Sequence, residues 1–481
     1  MSQFILCASA QIPHQVPTCL SYLPSALDHF IIGTRTSTAN TDLPYLQDDS
    51  SPGSLHLFKI STDNMWVKNP TFMWLSPQAN LDSSSAIAQT IDVPVAVTAL
   101  HVSPSKPTAL AVGSSDGSIR TFTAGGSPPR LTLSKTFTPF SEKAAITSIR
   151  FHPLHPGVLA CTLYSGSVYV ICIPGHGLQG DEPKILWTLA SHSPSPAWNL
   201  SWTPEPSSAP SEPAEVSSGI YSVGDDGNLL TSYWTLLEDV TDPNEMTTED
   251  PIRFHSKEGV TGVAVIPSNS TPSRDVVITA GRDGKLKISN LLSFDLDADS
   301  KTCVETSIGT GASSQLIGPN LVREHYIPSE KDSLEAFDPA SLLPEGYESD
   351  DEDYVSGAED EQDYDPYTNP NYVDPDAGAG VPMDTPETDS GMGPLQNEYF
   401  VLAGETSSGL RMLKVERAST EDGGSETWTL DSVATFDGHR GETLGAMDVH
   451  KVDGKINGAS ASAAMLDGEL SMTVCAWLFE P

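Results

Sequence analysis

Three histidines, His192, His255 and His439, each stand just ahead of an apolar run that opens a repeated unit of this chain. A neutral imidazole can accept a proton near pH 7, so a histidine at such a position is a candidate general base. The competing reading is a hydrogen-bonded clasp within its own unit. Gly113-Ser-Ser-Asp-Gly117 matches the spacing of a serine nucleophile elbow. That chemistry requires a strand turning sharply into a helix, whereas apolar strand-like runs flank this segment on both sides, so it reads as a hairpin turn. The six cysteines (Cys7, Cys19, Cys161, Cys172, Cys303 and Cys475) are scattered without a CxxC pair, which points to neither a zinc site nor a disulfide framework. The chain has no phosphate-binding glycine loop, dinucleotide fingerprint or His-x-x-x-His pair, and no cofactor or metal is expected.

The elements that must position these residues are legible as a repeat. Val97-Thr-Ala-Leu-His-Val-Ser-Pro leads to Ala109-Leu-Ala-Val-Gly and then to Ser115-Asp-Gly-Ser-Ile-Arg-Thr-Phe. Ile146-Thr-Ser-Ile-Arg-Phe-His-Pro, Val158-Leu-Ala-Cys-Thr-Leu and Ser165-Gly-Ser-Val-Tyr-Val-Ile repeat the pattern, as do Val260-Thr-Gly-Val-Ala-Val-Ile-Pro, Asp275-Val-Val-Ile-Thr-Ala-Gly and Arg282-Asp-Gly-Lys-Leu-Lys-Ile. Each unit reads as three strands of period-two alternation whose apolar faces need neighbouring units for burial. The Asp-Gly pairs at 116–117, 226–227, 283–284 and 467–468 supply the positive φ of tight hairpins. The fold expected is all-β, a seven-bladed β-propeller, with blades near 14–60, 92–126, 144–190, 192–237, 255–292, 303–325 with 397–417, and 427–479. Pro204 to Ser218 reads as an enlarged loop.

Residues 331–396 differ in kind, with roughly nineteen acidic side chains, one basic and few aliphatics, a composition expected to be disordered. The propeller is therefore expected to run over 1–330 and resume at 397–481, with Ser349 and Ser356 as candidate acid-directed phosphorylation sites. The formal net charge of -39 disfavours nucleic acid, because phosphate binding needs clustered Lys and Arg. A cationic or neutral protein surface is the expected partner. The N-terminus lacks the basic flank and apolar run of a signal peptide, and Val158 to Ile173 is broken by Ser165, Gly166 and Ser167, so no membrane association is expected. A cytoplasmic monomer is the resulting expectation.

Five segments in order resemble the WD-repeat diphthine methyltransferase family, also described as diphthine methylesterases. They are Pro17-Thr-Cys-Leu with Phe30-Ile-Ile-Gly-Thr and Gly53-Ser-Leu-His-Leu-Phe-Lys-Ile; His192 with Ala197-Trp198 and Ile220-Tyr-Ser-Val-Gly-Asp-Asp-Gly; and His255 with Gly259-Val260 and Val277-Ile-Thr-Ala-Gly-Arg-Asp. Phe400-Val-Leu-Ala-Gly-Glu with Gly409-Leu-Arg-Met-Leu, then His439 with Leu444-Gly-Ala-Met-Asp448 and Cys475-Ala-Trp477, complete the series. A divergent, fungal-like member would hydrolyse the methyl ester of diphthine on translation elongation factor 2, the step before amidation to diphthamide. The resemblance implies that substrate as partner. In such an enzyme His255 or His439 would be the base and Asp448 its orienting or cation-binding partner. Trp198, Tyr221 and Asp225 would hold the quaternary ammonium of the substrate through aromatic faces and a carboxylate. The family's Gly-Gly-Val-Trp-Arg block survives only as Ile308-Gly-Thr-Gly-Ala-Ser-Ser-Gln-Leu. That loss motivates the alternative, a non-enzymatic WD-repeat scaffold or trafficking adaptor binding a protein partner.

Overall fold

The computed structural model describes residues 3–26, 28–36, 51–60, 87–155, 157–174, 182–189, 191–203, 216–236, 246–248, 251–253, 255, 259–266, 274–292, 302–307, 316–321, 398–405, 409–418, 427–439, 442–452, 455–466 and 469–480. The acidic stretch 331–396, Ser349, Ser356 and the Asp467-Gly468 turn lie outside them. Two units divide the chain: residues 1–325 with 396–481, and residues 326–395. The fold below is that of the first.

Alternating apolar residues bounded by turn formers can only pair as strands, and the described residues form seven antiparallel sheets. Strand β1 (Gln3–Pro13) precedes the first complete blade, which is β2 (Gln15–Tyr22), β3 (His29–Thr36), β4 (Gly53–Lys59) and β5 (Ile87–Val93). Blade two is β6 (Val97–Val102), β7 (Ala109–Ser114), β8 (Ile119–Gly125) and β9 (Arg130–Phe137); blade three is β10 (Ile146–Phe151), β11 (Val158–Leu163), β12 (Val168–Cys172) and β13 (Lys184–Thr188). Blade four holds β14 (Ala197–Trp202), β15 (Val216–Gly224), β16 (Asn228–Leu236) and β17 (Met246–Thr248), with β18 (Ile252–Arg253) also on β16. Blade five is β19 (Val260–Ile266), β20 (Arg274–Gly281), β21 (Lys285–Leu292) and β22 (Thr302–Ser307); blade six is β23 (Leu316–Leu321), β24 (Glu398–Glu405), β25 (Gly409–Ala418) and β26 (Thr427–Phe436). The last blade is β27 (Thr443–Val452), β28 (Lys455–Leu466) and β29 (Glu469–Glu480), completed by β1, which runs antiparallel to β29 from Gln3 opposite Glu480 to Pro13 opposite Ser471.

First strands neighbour one another in chain order, and β27 returns to β2, so the ring is closed: a seven-bladed β-propeller, as the repeats predict. Its core is divided into seven apolar clusters, one at each junction between blades, as where Phe30 and Ile32 of blade one meet Ala459, Ala461 and Val474 of the last blade. No sheet could bury these faces alone.

Six blades have four strands and blade four has five, rather than three, which corrects the expected boundaries. Thr302–Ser307 is the outer strand of blade five, not the start of six, and Thr427–Phe436 belongs to blade six, not seven. The physical reason is exposure. The outer strand β5 alternates between partly exposed and exposed until its last residue, whereas β11 is buried throughout. A strand with one neighbour and a wet face carries little apolar signal. Residues ahead of the expected first blade form β1, which pairs with β29 and supplies the outer strand of the last blade.

Candidate functional site

A bulge in the first half of the inner strand organises the ring from residue to blade. In six blades the pairing of first and second strands skips one residue, for example between Pro17 and Cys19, Val97 and Ala99, and Ile146 and Ser148, and in blade six it skips Gly318 and Pro319. Such a bulge turns one side chain out of the ladder. Where that residue is threonine its hydroxyl donates to the next blade: Thr18 to the Val97 carbonyl at 2.6 Å, Thr98 to Ile146 at 2.5 Å, Thr147 to Ala197 at 2.5 Å and Thr261 to Leu316 at 2.7 Å. Blade seven has Gly445 there, and a Cβ would collide with the Pro17 carbonyl oxygen of blade one. Blade four has Trp198, between Ala197 and Asn199.

Trp198 reaches a different set of partners. Three turns that follow second strands are equivalent, because the first residue of each donates its N–H to the residue just before the inner strand: Tyr164 to Ala145 at 2.9 Å, Asp225 to Pro196 at 2.9 Å and Arg282 to Gly259 at 3.1 Å. These turns lie at one end of blades three, four and five, and their side chains meet at Trp198. Its indole Nε1–H donates to Asp225 Oδ1 at 2.5 Å, and the Arg282 guanidinium lies 5.1 Å from the ring centroid. Arg282 also pairs with the same Asp225 oxygen at 3.2 Å, and Tyr164 meets the indole edge-on at 5.8 Å. The Asp225 and Arg282 side chains are 23% and 27% exposed. Burial raises the Asp225 pKa above the usual carboxylate value, against the pull of Trp198 and Arg282, and the neighbouring Asp226 raises it further.

The histidines are placed differently, with side chains fully buried. His192 Nδ1 lies 2.9 Å from Asp226 Oδ1 and its Nε2 3.1 Å from Ser222 Oγ; His255 Nδ1 lies 3.1 Å from Asp283 Oδ1 and its Nε2 3.0 Å from Thr279 Oγ1. An ionised carboxylate only accepts, so Nδ1 carries a proton and donates it to the aspartate. Burial opposes ionisation of Asp226 and Asp283, but the histidine and the turn amides of Asn228 and Lys285 outweigh it and hold both carboxyls below their ordinary value. In the last blade Trp477 Nε1–H donates to Ser460 Oγ at 3.3 Å, and Ser460 lies 2.7 Å from His439 Nε2. His439 Nδ1 is 2.5 Å from Ser462 Oγ, which donates onward to Glu442. A base acting on water needs a ring nitrogen open to solvent, and His255 and His439 have both nitrogens committed inside their blades.

Of the remaining candidates, Tyr221 is buried in the junction of blades four and five, its hydroxyl 3.0 Å from that of Tyr233. Asp448 lies on the inner strand β27, accepting from the Tyr22 N–H of blade one at 3.0 Å and from the Val449 N–H at 2.9 Å. Burial raises its pKa, while the two amides and the charge of Arg150 from blade three lower it. The structure thus unites Trp198 and Asp225 and leaves Tyr221, His255, His439 and Asp448 elsewhere. It adds Tyr164 and Arg282, whose only signal in the sequence is their shared place ahead of a turn glycine. Gly113–Gly117 is the expected hairpin, with Gly117 at φ 79° and Asp116 accepting from the Ser118 N–H at 3.0 Å. Among the described residues no group of His, Cys, Asp and Glu could hold a metal ion.

No protein-family model and no curated protein matches the chain. Among solved structures it is similar to Sqt1 from Chaetomium thermophilum, 12% identical over 96% of this chain and 84% of that one, with a TM-score of 0.47. It is also similar to the Chaetomium thermophilum Sqt1 bound to the N-terminus of the ribosomal protein L10, 11% identical over 99% of this chain and 100% of that one, with a TM-score of 0.49. A likeness at that identity and score carries no argument about activity or partner.

Proposed function

We propose that the chain is a non-enzymatic WD-repeat scaffold that docks a protein partner on the end of the ring carrying Tyr164, Trp198, Asp225 and Arg282. The observation that supports this reading is a partly exposed tryptophan where four other blades have an interblade threonine, clustered with a tyrosine and an arginine. Trp, Tyr and Arg are the side chains that dominate binding energy at protein interfaces. The reading has the protein act in the cytoplasm; the described cysteines Cys19, Cys161, Cys172 and Cys475 are free thiols, which suits a reducing compartment. Quantitative affinity purification of the full chain tests it: stoichiometric partners recovered with wild type are expected to be depleted with Trp198→Thr. A wild-type chain that recovers no reproducible partner would sink the scaffold.

A second reading is hydrolysis of the methyl ester of diphthine on translation elongation factor 2. Asp448 is the side chain it would use, an inner-strand carboxyl held between blade seven and blade one by the Tyr22 and Val449 amides. Mass spectrometry of the modified histidine in a deletion strain decides the matter. An accumulated methyl ester, rescued by wild type but not by Asp448→Asn, is the expected enzymatic result; unaltered diphthamide removes this reading.

A further inference from the structure

Resting on the scaffold reading, we infer that the Trp198 platform is an arginine-recognition site, which the chain's own Arg282 fills until an arginine-bearing basic segment of a partner displaces it. The arrangement already contains the interactions a bound arginine would make. A guanidinium lies 5.1 Å from the Trp198 ring centroid and pairs with Asp225 at 3.2 Å, while Tyr164 packs at right angles to the same indole. A planar, weakly hydrated guanidinium is the cation best suited to stack on an indole while pairing with a carboxylate.

Two observations separate this site from ordinary packing. The equivalent residue is threonine in blades one, two, three and five, where it ties each blade to the next. Trp198 instead directs its N–H to the Asp225 carboxylate of its own blade and meets blade five through the Arg282 guanidinium. The Arg282–Asp225 pair, moreover, is 27% and 23% exposed, which leaves its outer edge open to solvent.

Charge complementarity chooses the partner. Acidic side chains number 64 against 25 basic ones, so a basic segment is drawn towards this molecule and an acidic one repelled. Carboxylates surround the site on the same turns, Asp226 and Asp283 with 20% and 14% of their side chains exposed. Arg282 is a basic side chain on the same turns, and it pairs with Asp225. An internal competitor lowers apparent affinity by the fraction of sites left open.

Fluorescence anisotropy of a labelled alternating Arg-Gly decapeptide on the full chain, with a Lys-Gly decapeptide alongside, tests the proposal. Trp198→Thr is the decisive variant, because threonine is the residue the ring uses at this position and folding is not placed at risk. It is expected to weaken the Arg-Gly peptide about tenfold, whereas Arg282→Gln is expected to tighten it roughly fivefold by vacating the platform. Equal binding of both peptides, Arg-Gly binding unaffected by Trp198→Thr, or weaker binding by Arg282→Gln would each overturn the proposal. If Trp198→Thr lost the peptide but kept its co-purified partners, the arginine site would stand while docking at this face would fail; keeping the peptide and losing the partners would leave the scaffold standing without this site.

Discussion

A buried imidazole bonded on one side to a carboxylate and on the other to a hydroxyl is far from any reaction but well placed to pin a turn to its sheet. His255 bridges Asp283, in the turn after β20, to Thr279 within that strand. Replacing it by alanine leaves a carboxylate and a hydroxyl short of partners, and His255→Ala is expected to lower unfolding free energy by about 2–3 kcal/mol in urea titration. The same bonds dictate a pH dependence. His56 and His152 are buried, which lowers their pKa from 6.5 to about 4 and about 3. For a histidine depressed on folding, stability is fully present above 6.5 and falls as pH drops towards the folded value. Asp226 and Asp283 are held below 3.8, so their contribution persists above 3.8 and is lost as pH falls through the folded values. Thermal melts are therefore expected to decline in two stages, below about 6.5 and again below about 4, the second stage shrinking in Asp283→Asn.

At the scale of elements, the inner-strand bulges explain why neighbouring sheets keep a common register around the ring. Thr98→Val keeps the shape of the side chain and deletes one bond to the Ile146 carbonyl, with an expected loss of about 1 kcal/mol in denaturant midpoint analysis. Trp198→Thr is expected to show no such loss. The strand Gln3–Pro13 is the other structural device. Without it β29 becomes an open edge of unpaired amides, so truncation of these residues is expected to yield a destabilised, self-associating chain by size-exclusion chromatography. Inner and middle strands were legible because both their faces are apolar or alternate strictly; outer strands such as Arg130–Phe137, exposed at most positions, offered no comparable pattern.

For the molecule as a whole, the primary structure by itself determined the all-β class, the repetition and the tight hairpins. These depend on local properties: alternation along a strand and positive φ at Gly117, Gly227 and Gly284. It also carried the clasp as one of two readings of each histidine, and the family resemblance offered Trp198, Tyr221 and Asp225 as a cation site, of which Tyr221 lies elsewhere. Only the tertiary structure decided which residues share that site, because Tyr164, Asp225 and Arg282 belong to three different blades and meet solely through the ring's angular repeat. It likewise decided that the chain's first strand completes its last blade. Pairing across hundreds of residues is chosen by which edge remains open when all the other faces are buried, and no local pattern encodes that choice.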